Sequence, residues 1–248
     1  VGSRFQPTGF PDLGPAEFGP DGARRLLVES AQSMANRLEA TTWDDARADQ
    51  VAELAGIPHV RVVDGEGSFL SSSRLEAHRL ASAYIMDGSV DGVQGRDWLR
   101  DRIGLVAGRP LDHRAVARAC FALDPFSLIH GVFFAQKPWP WQPKIARAVT
   151  AFIEAENARP AVSGGVKRDI VNNEAKDNAT AEGYGTVPHH RVEYVADKIV
   201  AYFSIDLAQL RSYGLSQPAT DLLEALIDFE IGSLLDGALR LRTACDLA

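Results

Sequence analysis

The chain has 248 residues, 46% hydrophobic and 24% charged, a balance that argues against disorder and a length ample for one large domain with a buried core. A net charge of −7 excludes a surface that attracts nucleic acid all over, and Cys120 and Cys245, without a CxxC pair, exclude a disulfide framework or a cysteine-built zinc site. No run of about 18 apolar residues and no cationic, apolar leader occurs, so neither a membrane span nor a secretory signal is expected, and a cytoplasmic location follows by default.

In chain order, the proline- and glycine-rich stretch 3–20 reads as a structured loop. Asp21 then caps an expected helix to about Glu39, with Leu27, Ala31, Met34, Ala35 and Leu38 on its buried stripe. Val60 to Val63 is a short β-type run, Ser73 opens a helix to about Met86, and further helices are expected near residues 97–103 and 112–123. The apolar, aromatic segment 127–135 reads as a buried strand, and the prolines at 138, 140 and 143 precede a helix to about Glu154. Residues 169–190 form a long polar connection with few apolar anchors, of a length that usually binds something. A strand over 199–207, a strong helix started by Ser216 and Pro218, and a closing strand over 239–247 complete the reading. Helices and strands mix without a βαβ repeat, which predicts the α+β class.

Enzyme signatures are scarce. GxSxG, HExxH, GxxxxGK[ST] and GxGxxG are absent, and the adjacent His189 and His190 point to opposite faces if they lie on a strand, which makes a poor metal site. His78 and His130, in apolar company, read as core histidines. Asp169 follows Lys167 and Arg168 and is the one carboxylate placed to hold a metal for RNA cleavage. Two-metal chemistry needs several converging carboxylates, so pairing with its basic neighbours is the expected role. No catalytic residue, cofactor or metal is expected.

Residues 125–168 hold six Lys and Arg against two Glu, so this stretch carries +4 while the rest of the chain carries −11. Phosphates respond to the local field, so such a stretch suits a nucleic-acid backbone, although scattered surface charge gives the same pattern. Trp139 and Trp141, held between prolines, are candidates for stacking on bases. Gln32, Ser33, Asn36 and Arg37 share one side of the first helix and offer donors to a sugar-phosphate chain. In Ser163-Gly164-Gly165-Val166-Lys167-Arg168, glycines open the backbone to a phosphate and two cations follow.

At these residues the sequence resembles the RAMP-type backbone subunit of the Cascade complex from type I-U (I-G) CRISPR systems. The resemblance rests on SRFQPTGFPDLG (3–14), LLVESAQSMANRLE (26–39), SSRLEAHRLASAYI (72–85), DPFSLIHGVFF (124–134), SGGVKRD (163–169), GYGTVPHHR (183–191), AYFSIDLAQLRSYGL (201–215) and LRLRTACDL (239–247), which together span nearly the whole chain. It implies a single RRM-like (ferredoxin-like) palm with a helical insertion at about 70–125 and an RNA- or neighbour-facing loop at 163–190, and places one more strand ahead of the first run. It also implies sequence-independent binding of CRISPR guide RNA, head-to-tail association of copies in a filament, and pairing of target DNA with the guide. Cutting of foreign DNA would fall to a separate helicase-nuclease, with other Cascade subunits as further partners. Arg4 and His189 within these runs join Gln32, Ser33, Asn36, Arg37, Trp139, Trp141, Gly164, Gly165, Lys167 and Arg168 as expected RNA contacts. A metal-dependent RNA endonuclease of the RAMP superfamily using Asp169 is the alternative.

Overall fold

The computed structural model describes residues 3–10, 12–20, 23–167, 187–237 and 239–247. Among these, helices mix with several small antiparallel sheets, as an α+β chain requires. A four-stranded sheet runs Lys198–Ile205, Val149–Glu156, Arg25–Glu29, Glu17–Phe18 in lateral order, and a five-stranded sheet runs Arg159–Lys167, Val187–Val195, Arg4–Phe5, Thr243–Leu247, Leu239–Leu241. The chain divides into two compact units. A sheet unit comprises Val1–Ser30, Phe152–Ala201 and Ala238–Ala248, and a helical unit comprises Ala31–Ala151 and Tyr202–Gly237.

In the sheet unit, Leu26 and Val28 are buried at strand period while Arg25 is exposed. Their strand pairs with residues 153–156, where a register shift between Ile153 and Glu154 explains why Ile153, Glu154 and Ala155 are buried in succession. The helix expected from Asp21 is therefore shorter: residues 25–29 are a strand, and the helix is Ala31–Ala40, burying Met34, Ala35 and Leu38. The helix expected to reach Glu154 is likewise replaced by the strand Val149–Glu156, because cross-strand pairing overrides the helix propensity of its Ala and Glu.

The helical unit shows where local signals suffice. Asp112 caps His113–Leu123 by accepting from the backbone N–H groups of Arg114 and Ala115, both at 3.0 Å. Gly104, at φ 78°, closes Gly95–Ile103 in the left-handed conformation that glycine adopts freely, and Pro218 sits in the first turn of Gln217–Asp236. Two expectations give way. In place of a helix from Ser73, residues 73–78 are turn and irregular chain, Arg79–Ala81 is a short 3-10 turn with Arg79 at φ 52°, and the regular helix is only Ala83–Asp87, capped by the Ser82 hydroxyl, which accepts from Ile85 N–H. The segment read as a buried strand is a helical turn, Phe126–Ile129, then the two-residue strand Val132–Phe133. Its burial holds for Leu128, Ile129, Val132 and Phe134, whereas Phe133, expected inside, turns outward.

Candidate nucleic-acid interface

The helical unit carries a groove of about 450 Å³ lined by His78, Arg79, His130, Gly131, Phe133, Lys144, Arg147 and Thr150 among others. It forms because Val132–Phe133 pairs antiparallel with Lys144–Ile145, setting Lys144 directly opposite Phe133. The ammonium lies 5.9 Å from the ring centroid, and Phe133 is 48% exposed, so an aromatic face and a cation stand together in solvent. Gly131 allows the close approach. At φ 82° a Cβ there would meet Ile145 O at 2.8 Å and Arg147 N at 3.0 Å.

The charges of the groove differ in how they are held. Arg79 is pinned by Glu39, with Nε and Nη2 donating at 2.6 and 2.8 Å, and its Nη1 donates to Gly131 O at 2.9 Å, so its charge is matched. Arg147 donates to Ala31 O at 3.2 Å and Gln32 Oε1 at 3.0 Å, and neither partner is an anion. Burial holds its guanidinium below the usual range, with Arg79 adding to the effect and Glu39 opposing it, yet an arginine stays charged. Arg147 is thus an oriented cation whose charge its hydrogen-bond partners do not cancel. Gln32 Nε2 in turn donates to Asn36 Oδ1 at 3.0 Å, which continues the polar line along the helix.

Of the residues expected to contact RNA, Gln32 and Asn36 are thereby tied to Arg147, while Ser33 and Arg37 lie half-buried on the same helix. Trp139 is 6% exposed and packs on Phe134 with centroids 5.9 Å apart, which removes it as a stacking surface: its flanking prolines do not keep it out of the core. Trp141 is 40% exposed and donates its indole N–H to Arg109 O at 2.9 Å. His78, expected inside, is exposed and lines the groove, whereas His130 is buried with Nε2 at 2.9 and 3.0 Å from the two carboxylate oxygens of Glu230. Lys144, Phe133 and Arg147 are the functional candidates that residue choice missed; the +4 stretch contained both cations without singling them out.

The sheet unit carries a second polar surface, on the hairpin of Arg159–Lys167 and Val187–Val195. Part of the segment expected as a loop is thus strand, and Gly164 and Gly165 sit in its ladder, opposite His190 and His189. Gly164 is needed for packing, since a Cβ would come within 2.8 Å of His189 O. Arg4 reaches Ser163 Oγ at 3.4 Å and Glu193 at 3.6 Å, while Arg191 Nε donates to Glu193 Oε1 at 2.7 Å. Two half-exposed arginines therefore share one buried carboxylate, leaving a net positive charge on the face that His189 also occupies by strand period. On the opposite face Val162, Val166 and Val192 are exposed. Lys167 ends the strand opposite Val187, and Arg168 and Asp169 lie outside the described residues. Among the described residues no three His, Cys, Asp or Glu side chains could hold a metal ion.

A family model described as CRISPR-associated protein GSU0053 matches residues 1–160. No curated protein matches the chain.

Proposed function

The chain belongs to the CRISPR-associated protein GSU0053 family, and from that premise we propose that it is a non-catalytic RNA-binding backbone subunit of a type I-U (I-G) Cascade complex. In this reading copies line up head to tail along the guide RNA, target DNA pairs with the exposed guide, and a separate helicase-nuclease cuts the foreign DNA. The strand–helix succession Arg25–Glu29 and Ala31–Ala40, with the antiparallel pairing of residues 25–29 and 153–156, supports an RRM-like palm of the RAMP superfamily. A cytoplasmic location suits this work. Among the described residues no helix is long and apolar enough to cross a membrane.

The observation that carries the proposal is the groove holding Lys144, Phe133 and Arg147. Two cations whose described partners are a ring, a carbonyl and an amide keep their charge for a phosphate chain, and the exposed ring beside them stacks on any base. Such a surface grips RNA without reading its sequence. In the sheet unit Arg4 and Arg191 share Glu193 and leave one net positive charge for a phosphate on the face that His189 occupies, and Lys167 and Arg168 are further cations of the 125–168 stretch in sequence.

The test is assembly on guide RNAs of increasing length, followed by analytical ultracentrifugation. Protein mass per RNA should step upward with RNA length whatever the sequence, and the variant carrying Lys144→Ala and Arg147→Ala should lose most of that binding. A chain that stays monomeric with RNA and partner subunits present would remove the proposal.

A further inference from the structure

The strand Lys144–Ile145 and the following Ala146 form a wall of the cationic groove and also a wall of a second, smaller cavity of about 230 Å³. A volume below the roughly 300–1,000 Å³ of drug-sized sites suits one planar ring system. His113 and Tyr213, both lining the cavity, bring rings to it, and Val116 and Pro143 add apolar surface.

The cavity is preformed by hydrogen bonds within the unit. Gln209 Nε2 donates to Ala146 O and, at 2.9 Å, to the Tyr213 hydroxyl, which itself donates to Leu128 O at 2.8 Å. A carbonyl only accepts, so the amide nitrogen of Gln209 must face Ala146, and Oε1 is the acceptor this residue has left to offer. Ser212 Oγ donates to Gln209 O at 2.7 Å and likewise has accepting capacity left. Lys144, common to both cavities, stands between them as a cation.

We infer that this cavity receives one nucleobase of an RNA whose phosphates lie along Lys144 and Arg147, held mainly by stacking, with Gln209 and Ser212 offering acceptors to the N–H groups that every base carries. The inference rests on the RNA-binding reading of the groove. A base turned away from its neighbours crosses the Lys144–Ala146 segment, gains stacking in a half-enclosed site, and leaves its phosphate in the groove.

The test compares the full chain binding a labelled oligoadenylate with its binding of an abasic ribose-phosphate chain of equal length, by fluorescence anisotropy. Oligoadenylate should bind about tenfold tighter or more, the scale of one stacked base. Ser212→Trp, which fills the cavity from an exposed position, should shrink that difference to what stacking on Phe133 supplies while leaving abasic binding unchanged. His113→Ala, also at an exposed position, should reduce it in the same direction. Equal binding of the two chains would overturn the base pocket, and with it stacking on Phe133, while the phosphate contacts of the groove stand, and failure of both chains to bind would remove the groove reading itself. A preference for oligoadenylate that neither substitution diminishes would place base recognition elsewhere and overturn the inference.

Discussion

Arg79 combines backbone strain and charge pairing in one residue, and two substitutions separate them. Its φ of 52° lies in the left-handed region, which costs a non-glycine residue about 1–2 kcal/mol. Its guanidinium holds Glu39 through two hydrogen bonds and Gly131 O through a third, with both side chains largely buried. Removing the guanidinium leaves a mostly buried carboxylate without its partner, a change worth about 3–5 kcal/mol. Arg79→Ala loses the pair and keeps the strain; Arg79→Gly loses the pair and the strain together. The glycine variant should therefore be more stable than the alanine variant by about 1 kcal/mol, the reverse of the order in ordinary helix or strand, where glycine is the worse by about 0.5–1 kcal/mol. Urea denaturation at neutral pH, followed by circular dichroism with comparable m-values, measures the order directly. An alanine variant as stable as the glycine variant, or more so, would refute the strain argument.

Three further outcomes are expected. Gly131→Ala should destabilise the fold by about 1–3 kcal/mol, read by thermal melting, and weaken RNA binding, because its Cβ would push on Ile145 and Arg147 at the groove wall. Burial pushes the Cys120 thiol up from 9.0 to about 12, with Asp124 adding to it, and pushes the Tyr213 phenol up from 10.0 to about 12. The unfolded chain releases these protons first, so the stability they contribute is complete below about pH 9 and is lost as pH rises toward 12; native protein at pH 8 should also resist iodoacetamide at Cys120 by mass spectrometry until denatured. Trp139→Ala should cost about 3–5 kcal/mol by urea titration, and Trp141→Ala under about 1 kcal/mol, since one ring is core and the other surface.

The helices that were legible carry their own punctuation: Asp112 as a cap, Gly104 as a left-handed stop, Pro218 in a first turn. The misread segments lack such marks or obey distant partners. Residues 149–156 contain helix-forming Ala and Glu, and become a strand through pairing with residues 25–29, more than a hundred positions away. The Val187–Val195 strand escaped notice because residues on both its faces are exposed near the start, which erases the alternation that betrays a half-buried strand.

The site divides in the same way. Gln32 and Asn36 share a helix face at i,i+4 and were visible as a pair, as their hydrogen bond bears out. The Arg147 contact with Gln32 spans 115 positions and needed the fold, as did the cross-strand placement of Lys144 against Phe133. Trp139 misled because flanking prolines signal a loop, and a loop residue can still turn its ring inward onto Phe134.

Whether RNA phosphates lie along Lys144 and Arg147 is read from the salt dependence of RNA affinity. Single-stranded binding should fall with log salt at about −0.7 per phosphate contact, and replacing Lys144 and Arg147 together by alanine should make the slope shallower by about 1.4, equally for unrelated RNA sequences. An unchanged slope in that double variant, with its fold intact, would mean that RNA phosphates do not lie in this groove.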